Sequence, residues 1–433
     1  MSDKREINIR VPVLARVEGE GALSFTARDG RIEDLQLKIF EPPRLFEKFL
    51  EGRDYHEVPD MVARICGICP VAYQMSAVQA IESIFEIKVT PWVQAMRRVM
   101  YCGEWIQSHA LHIHLLAAPD YLGYNSAIEM AKDHADIVQR GLRLQSLGNK
   151  LIGLLGARSV HPVGVCVGGF HHAPSLSEVE SLYHELEQSI VDAEALIGWT
   201  ATLPLPDDQQ DFVSVALSNE QQFAIEQGRV ISSAGLNISL NEYEQHFAEH
   251  QVPHSTAFHS LLEGQPYLVG PLARLNLNLQ QLPQEIQKLV KQSGIHFPCQ
   301  NMFLSIVARA IEIRYAIGEA MRLLKNYQVP NARKQTVTPK AGVGYGCTEA
   351  PRGILWHRYE VDAQGIIVNA NIVPPTSQNQ ARIEADLRNS LEAYGLQHSD
   401  DELRLHGEMV IRNYDPCISC ATHFLKIKVD RID

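Results

Sequence analysis

Residues 415–423 read DPCISCATH, in which two cysteines stand three positions apart and a histidine follows. That spacing lets two thiolates bind one metal ion from a single turn of backbone. A second pair stands in RICGIC, residues 64–69, so most of the chain separates the two pairs. Zinc ribbons keep their pairs roughly 15 to 20 residues apart, and a small zinc knuckle therefore fits poorly. We expect both ends of the chain to meet at a buried metal centre; a structural zinc site and unpaired buried thiols are the alternatives.

The composition predicts a large folded core in a reducing compartment. The chain has 433 residues, of which 45% are hydrophobic, enough for an extensive buried interior. Its formal net charge of −12 argues against nucleic-acid binding. The N-terminal residues contain no apolar core of a signal peptide, and no apolar run of about 18 residues could span a membrane. We predict a cytoplasmic protein with reduced thiols and no membrane span.

Hydrophobic periodicity predicts long helices with sheet at their edges. Residues 7–40 alternate apolar and polar side chains around a turn at Asp29-Gly30, which predicts a small antiparallel sheet. Residues 343–346 and Gly353 read as a loose segment, and a hairpin is expected around Gly365. Elsewhere, apolar residues recur three or four positions apart, which predicts helices. The predicted helices cover residues 59–81, 91–118, 126–155, 175–199, 297–327 and 377–394.

These elements predict a fold that is mainly α with smaller β parts, a long-helix bundle with peripheral antiparallel sheets. Residues 201–295 are richer in Pro, Gln and Asn, and we expect a peripheral insertion of short strands and loops there. Because the two cysteine pairs come from opposite ends of the chain, residues 1–433 are predicted to form a single integrated domain.

Five motifs occur in the order typical of one enzyme family, and the chain resembles the large subunit of nickel-iron hydrogenases from about residue 10 to 423. The motifs are RVEG (16–19), RICGIC (64–69), APRG (350–353), PTSQN (375–379) and DPCISCATH (415–423). The resemblance implies the family's fold and its reaction, the reversible heterolytic cleavage of H2 to protons and electrons. It also implies a nickel-iron centre whose iron carries carbonyl and cyanide ligands.

The resemblance assigns the four paired cysteines to these two metals. Cys66 and Cys417 would bind nickel alone. Cys69 and Cys420 would bridge nickel to iron. Thiolate is a soft, strongly donating ligand that suits nickel in a redox role.

The resemblance also implies a path for the proton. Cys417 would accept it first, and Glu18 in the RVEG motif would relay it outward. Burial near a metal–thiolate site raises the pKa of a carboxyl group, which suits a relay. Taken without its motif, Glu18 would read as a solvated carboxylate at a strand end.

Further residues match the surroundings of the metals. Arg352 matches an arginine held over the metals, with Pro351 beside it, and its guanidinium can donate hydrogen bonds toward cyanide. Asp415 and Asp120 would pair with Arg352. Thr376 matches a hydroxyl that bonds the second cyanide. Without the motifs, an ordinary salt bridge and a simple turn would explain Arg352 and Thr376.

A magnesium ion is implied away from the active metals. Glu47, the backbone carbonyl near Ile372, and His423 match its ligands, although magnesium prefers oxygen donors and a histidine ligand is atypical. A carboxylate on a helix face is the alternative for Glu47. Residues 424–433 resemble the tail that a maturation protease removes after metal insertion, and an edge strand is the alternative.

The chain departs from many family members at Tyr73, where they have histidine. A tyrosine here resembles the cytoplasmic, pyridine-nucleotide-linked branch, which includes sulfhydrogenase alpha subunits. Tyrosine can donate one hydrogen bond but cannot become a cation, so the surroundings of the metals differ.

The remaining cysteines imply that electrons leave through partner subunits. Cys102, Cys166, Cys299 and Cys347 match no ligand pattern, and we expect buried apolar thiols rather than an iron–sulfur cluster. The resemblance implies a heteromultimer with an iron–sulfur small subunit and diaphorase subunits that bind flavin and NAD(P). The alternative functions are a non-catalytic electron-coupling subunit of a respiratory-type complex and a zinc scaffold.

Overall fold

Fourteen strands lie within residues 6–422, the part of the chain that the computed structural model describes. They form five small sheets, and every strand pair is antiparallel except β6 with β11. The strands are β1 Ile7–Val11, β2 Gly21–Arg28, β3 Arg31–Ile39, β4 Val165–Cys166, β5 Gly169–Phe170, β6 Val213–Ser218, β7 Arg229–Ser232, β8 Asn237–Ile238, β9 Phe247–Gln251, β10 Phe258–Leu262, β11 Tyr267–Leu268, β12 Gly342–Ala350, β13 Gly353–Val361 and β14 Ile367–Val373.

Helices make up the larger share of the same residues, which confirms the mainly α fold class. A π-helical stretch, His112–Ala117, joins α4 to α5. The α-helices are α1 Phe46–Leu50, α2 Val58–Val62, α3 Pro70–Ile84, α4 Pro91–Leu111, α5 Ala118–Leu122, α6 Ala127–Met130, α7 Ala135–Gly156, α8 Leu176–Ala201, α9 Tyr243–His246, α10 Pro271–Asn278, α11 Gln284–Gln292, α12 Ser305–Leu324, α13 Pro375–Tyr394, α14 Asp400–Asn413 and α15 Ile418–Ala421.

The N-terminal sheet has the strand order that its alternating pattern predicts. β1 pairs with β2 and β2 with β3, all antiparallel. The predicted turn lies at Asp29 and Gly30, whose φ angles of 52° and 79° are left-handed and suit these two residue types. Every second residue of β2 is buried, so this sheet packs one face on the protein interior.

The long helices α4, α7, α8 and α12 pack against one another at the centre. The sequence predicted the starts of two of them. The Thr90 side chain accepts a hydrogen bond from the Val93 N–H at 3.3 Å, and Pro91 opens α4. Ser175 and Glu178 form a capping box at the start of α8.

The predicted helix over residues 59–81 is broken, and the break carries the first cysteine pair. α2 ends before this pair, and α3 begins after it at Pro70. Between them the Cys66 sulfur accepts hydrogen bonds from the N–H groups of Ile68 and Cys69, each at 3.3 Å. These contacts replace helical hydrogen bonds, and Pro70 has no N–H with which to continue the preceding helix.

Other predicted helix boundaries were also wrong. The helix expected over 126–155 is interrupted between α6 and α7, and the one expected to end near residue 118 continues through α5. α12 begins at Ser305 rather than at residue 297, because the Asn301 side chain accepts from the Phe303 N–H and starts a separate short turn.

Two predictions for the C-terminal third were wrong as well. Residues 343–346 belong to β12 rather than to a loose segment, and Gly346 lets this strand lie against α3. A Cβ on Gly346 would stand 2.0 Å from the Ser76 carbonyl oxygen. Helix α13 is not the last long helix, because α14 follows it after a capping box of Ser399 and Glu402.

Residues 201–295 hold the short strands that their composition predicts, together with α10 and α11. Arg274 on α10 is buried and donates hydrogen bonds to Glu312 and Glu349. The peripheral character of this segment and the single integrated domain stay predictions. Within residues 6–422, no helix has the length and apolar character needed to cross a membrane.

Candidate metal centre

The four predicted cysteine ligands meet in one place. The Sγ atoms of Cys66 and Cys417 lie 3.4 Å apart, and those of Cys69 and Cys420 lie 3.6 Å apart. All four sulfur atoms fall within 4.8 Å of one another. None of the four residues is more than 3% exposed. The structure therefore brings the two ends of the chain together at a buried group of soft donors, as the sequence predicted.

Local structure explains how each pair is presented. Cys69 is the N-cap residue of α3, and Cys417 is the N-cap residue of α15. The positive ends of helix dipoles favour thiolates at such positions. Cys417 also forms a parallel β-bridge with Glu18, which attaches the C-terminal pair to the N-terminal part of the chain.

Arg44 joins the two cysteine segments, and the sequence analysis missed it. Its Nη2 donates to the carbonyl oxygen of Ile65 at 2.7 Å and to that of Ser419. Its backbone N–H donates to Thr422 O at 2.8 Å. Arg44 stands three residues before Glu47, but nothing in the local sequence shows which distant carbonyl groups a guanidinium will reach.

The electrostatics of the four sulfur atoms fit a metal centre. Burial acts to raise the pKa of the Cys66 thiol, but hydrogen bonds from the three other sulfur atoms lower it well below its ordinary value. Burial and the neighbouring sulfur atoms raise the pKa of Cys417 well above its ordinary value. A bound metal cation favours thiolate over thiol outright. The four soft donors together therefore suit a soft metal cation.

Arg352 and Asp415 form a buried ion pair beside the sulfur atoms. Arg352 donates from Nε to the Asp415 carbonyl oxygen at 2.6 Å and from Nη2 to its Oδ1 at 3.0 Å. Burial opposes the carboxylate, but Arg352 lowers the pKa of Asp415 below its usual value. Arg352 Nη1 and Asp415 Oδ2 have no hydrogen-bond partner among residues 6–422. The predicted pair is present, and it keeps one donor and one acceptor for a further group.

The predicted pairing of Asp120 with Arg352 was wrong. Asp120 accepts hydrogen bonds from Nε and Nη2 of Arg412 at 2.7 and 3.0 Å, and it also pairs with Arg16. Arg16 and Arg412 approach Asp120 from opposite ends of the sequence and engage both carboxylate oxygens. Asp120 therefore fastens the RVEG motif to α14 instead of contacting Arg352.

Glu18 is half-buried against the second cysteine pair. Its carbonyl oxygen accepts from the Ile418 N–H at 3.0 Å, and its Oε2 accepts from the Ser419 N–H at 3.1 Å. Gly19 follows with a φ of 89°, and a Cβ there would stand 2.7 Å from the Cβ of Ile418. The close approach of these two segments explains why glycine follows glutamate in the RVEG motif.

Glu41 continues the polar contacts of Glu18, and the sequence analysis missed it. Glu41 Oε2 accepts from the Ser419 hydroxyl at 3.2 Å, and its Oε1 accepts from the Glu20 N–H at 2.8 Å. Ser419 thus contacts the carboxylates of both Glu18 and Glu41. The spacing within the second cysteine motif marks Ser419 but gives no sign of Glu41.

Hydrogen bonds also connect Thr376 and Pro351 to the surroundings of the site. Thr376 Oγ1 accepts a hydrogen bond from the Cys417 N–H at 3.0 Å, which leaves the hydroxyl proton available for donation. The Pro351 carbonyl oxygen accepts from Arg274 Nη2 at 3.1 Å. Both residues are buried.

Two of the three expected magnesium ligands lie together. Glu47 on α1 accepts from the Ile372 N–H on β14 at 2.6 Å. Burial, followed by the charge of Glu47, raises the pKa of nearby Tyr359 well above its ordinary value. His423 and the tail of residues 424–433 lie outside the described residues.

Tyr73 is fully buried on α3, close to the four sulfur atoms. Burial raises its pKa well above the ordinary value, and the cysteines add to the effect. Its ring lies 5.8 Å from that of His357. Tyr73 therefore stays neutral beside the four sulfur atoms.

Glu104 is another buried group that the sequence analysis missed. Its two carboxylate oxygens accept from the N–H groups of Val71 at 2.6 Å and Ala72 at 3.1 Å, at the start of α3. Burial raises its pKa well above the ordinary value. A carboxyl group within the otherwise uncharged run of residues 99–106 of α4 was the available clue.

Comparison with known proteins agrees with this geometry. The sequence matches the nickel-dependent hydrogenase family over residues 44–142 and 241–423. It is 32% identical to sulfhydrogenase 2 subunit alpha of Pyrococcus furiosus over 97% of this chain and 100% of that protein. It is 27% identical to the NAD-reducing hydrogenase HoxS subunit beta of Cupriavidus necator over 95% of this chain and 94% of that protein.

Solved structures show the same fold. The chain superposes on a subunit of an NAD+-reducing [NiFe]-hydrogenase with a TM-score of 0.86 and 26% identity, covering 97% of this chain and 99% of that one. A Ni-Fe-Se hydrogenase of Desulfovibrio vulgaris Hildenborough gives a TM-score of 0.83 at 22% identity, covering 97% and 100%.

The fold and the four-sulfur site thus define the large subunit of a metal-dependent oxidoreductase. This chain belongs to the nickel-dependent hydrogenase family, whose activity is the cleavage of hydrogen. The resemblance that the motifs indicated is confirmed. Large subunits of this family pair with small subunits.

Proposed function

We propose that Cys66, Cys69, Cys417 and Cys420 hold a nickel-iron centre at which this chain cleaves dihydrogen reversibly. The convergence of four buried sulfur atoms within 4.8 Å carries the proposal. Cys66 and Cys417 would hold nickel, and Cys69 and Cys420 would hold nickel together with iron. When bound, the metals supply the two-electron redox chemistry of the reaction.

Two donors of this chain fit the cyanide and carbonyl ligands that the family's iron carries. Arg352 Nη1 has no hydrogen-bond partner among residues 6–422, and the Thr376 hydroxyl keeps its proton after accepting from Cys417. Both donors are buried, and a buried unpaired donor is costly unless another group satisfies it. An anionic ligand held by iron would satisfy Arg352 in this way.

The proton leaves along a chain of contacts that begins at Cys417. The β-bridge holds Glu18 beside Cys417, and the Ser419 N–H holds the Glu18 carboxylate. The Ser419 hydroxyl then connects to Glu41. We infer that Glu18 receives the proton from Cys417 and that Glu41 lies further out on the same route.

The hydrogen bond from the Ile372 N–H holds the Glu47 carboxylate beside β14, where we propose that the Ile372 carbonyl oxygen is a second magnesium ligand. A magnesium ion would take oxygen donors from this pair and would keep several waters. His423 is the third proposed ligand. The site would stabilise the junction between α1 and β14 rather than take part in the reaction.

The proposed partners follow from the family and from the names of the relatives. An iron–sulfur small subunit receives the electrons, and diaphorase subunits with flavin pass them to NAD(P), as the NAD-reducing name of one relative indicates. We place the complex in the cytoplasm, with a maturation protease that removes residues 424–433. A non-catalytic electron-coupling subunit would not need four converging cysteines.

Anaerobic purification of the chain with its partner subunits tests the metal centre. We expect metal analysis to find nickel and iron on this chain, and infrared spectra to contain bands from iron-bound carbonyl and cyanide. A preparation in which zinc occupies the four cysteines and nickel is absent would support the zinc scaffold instead.

Replacing Glu18 tests the proton route. In Glu18→Gln we expect H2–D2O exchange to fall by ~10²–10⁴-fold, the usual effect of removing a positioned acid–base group, while nickel content stays unchanged. Glu20→Gln is the matched control, because Glu20 is exposed two positions away. Unchanged exchange in Glu18→Gln would rule out its role as the relay.

A further inference from the structure

A second group of metal-ligating side chains lies apart from the four cysteines. His254 stands in the loop between β9 and β10, His259 lies on β10, and Glu384 lies on α13. One ligand atom from each residue falls within 4.8 Å of the others. His254 Nε2 and Glu384 Oε1 are 2.8 Å apart, and the two imidazole rings meet nearly at right angles.

One ring nitrogen in this group is buried without a partner. His259 is 5% exposed, and its Nε2 has no hydrogen-bond partner among residues 6–422. Burial, together with the neighbouring histidines, lowers the pKa of His259 to about 4. A ring nitrogen without a proton offers a lone pair, and this is the form in which imidazole binds metal ions.

The carboxylate of Glu384 already has protein contacts that fix its orientation. Its Oε1 accepts from the Leu37 N–H at 2.8 Å as well as facing His254. Carboxylates that bind metal ions are commonly held in position by such hydrogen bonds from groups that do not touch the metal.

Three separate parts of the fold converge at this group. The hairpin loop is anchored to the N-terminal sheet, since the Thr256 N–H donates to Ile39 O at 2.8 Å. Glu384 reaches the same sheet through Leu37. An ion at this point would join the β9–β10 hairpin, β3 and α13.

We propose that His254, His259 and Glu384 bind a zinc ion. Two imidazoles and one carboxylate are a ligand set that zinc accepts, with water in the remaining position. The His254 and Glu384 side chains are 20% and 19% exposed, which leaves a route for the ion and room for that water. The ion satisfies the buried Nε2 of His259, which has no hydrogen-bond partner among residues 6–422.

Zinc content of the purified complex with its partner subunits tests the site. The complex is incubated with Zn2+, freed of unbound metal, and analysed for zinc and nickel. We expect His259→Ala and Glu384→Gln each to lose about one zinc per chain relative to the unaltered complex, with nickel unchanged. His246→Gln is the control, because His246 contacts Glu263 rather than the proposed site, and it should keep the zinc.

X-ray absorption at the zinc edge gives an independent measurement. We expect nitrogen neighbours at about 2.0–2.1 Å in the unaltered complex and the loss of this signal in Glu384→Gln. If His259→Ala fails to fold and loses nickel as well, the milder Glu384→Gln decides the question. Absence of zinc from the loaded complex, or equal zinc in Glu384→Gln and the unaltered complex, would overturn the proposal.

Discussion

Two buried arginines, Arg274 and Arg352, use their hydrogen-bond donors differently. Arg274 engages all five of its N–H groups: two with Glu312, one with Glu349 and two with backbone carbonyls. Arg352 bonds only Asp415, through Nε and Nη2, and its Nη1 has no hydrogen-bond partner among residues 6–422. Both side chains are 1–2% exposed.

The difference separates a structural role from a functional one. A guanidinium with every donor satisfied by the protein stabilises the fold and has nothing left for a ligand. A buried guanidinium with an open donor carries an energetic cost, which the fold tolerates where a bound group will accept that donor. Arg352 meets this description beside the four sulfur atoms, and Arg274 does not.

Replacing Arg274 should produce the largest effect on folding. In Arg274→Met, the buried carboxylates of Glu312 and Glu349 lose their partner, and breaking such a group costs ~3–5 kcal/mol. We expect the free energy of unfolding, measured by denaturant titration of the purified complex, to fall by about that amount. A loss below ~1 kcal/mol would show that the Arg274 network is not structural.

The control variant removes an ion pair that lies at the surface. Lys150 and Glu185 are about half exposed and 2.6 Å apart, and such pairs contribute ~0–1 kcal/mol. Lys150→Met should therefore leave the unfolding free energy nearly unchanged. A similar loss in both variants would mean that the measurement does not distinguish buried from exposed pairs.

Replacing Arg352 should instead reduce catalysis. Arg352→Lys keeps a positive charge near Asp415 but removes the fork that presents Nη1. We expect H2 oxidation to fall by ~10²–10³-fold, as when one preorganised donor is lost, while nickel content stays unchanged. Arg274→Lys is the matched control, and its main effect should be a lower free energy of unfolding. Full activity of Arg352→Lys would contradict the functional role that distinguishes Arg352 from Arg274.

The sequence was sufficient for the parts of the site that motifs encode locally. Paired cysteines at fixed spacing predicted where the two ends of the chain meet, and the APRG motif identified Arg352. The pairing with Asp415 was also predictable, because Asp415 stands two residues before Cys417 in the same motif. In these cases, the chemistry of the residue and its immediate neighbours determine its role.

Contacts between distant segments were not predictable in this way. Asp120 was expected to pair with Arg352 but binds Arg16 and Arg412, and no local pattern tells which guanidinium reaches a given carboxylate. The break between α2 and α3 was missed because apolar periodicity continues through residues 63–69. There the Cys66 sulfur accepts the N–H groups that a helix would have used.

A pH dependence is also expected within the Arg274 network. Burial raises the pKa of Glu349 to about 7 from its usual value of 4.5, despite the opposing charge of Arg274. Because the folded state holds this proton more tightly than the unfolded state, the contribution is fully present below about pH 4.5. It is lost as the pH rises through 7, by at most ~1.4 kcal/mol for each pH unit.

Glu349→Gln separates this titration from all others, because glutamine keeps the shape of the side chain and cannot ionise. Glu312 titrates in the opposite sense: burial opposes its ionisation, but Arg274 lowers its pKa to about 2, so its contribution is lost only in strong acid. Between pH 5 and 7.5 we therefore expect the unfolding free energy of the unaltered complex to fall relative to that of Glu349→Gln. Parallel curves for the two proteins would mean that Arg274 holds Glu349 ionised throughout, and the network would then be a fully charged one.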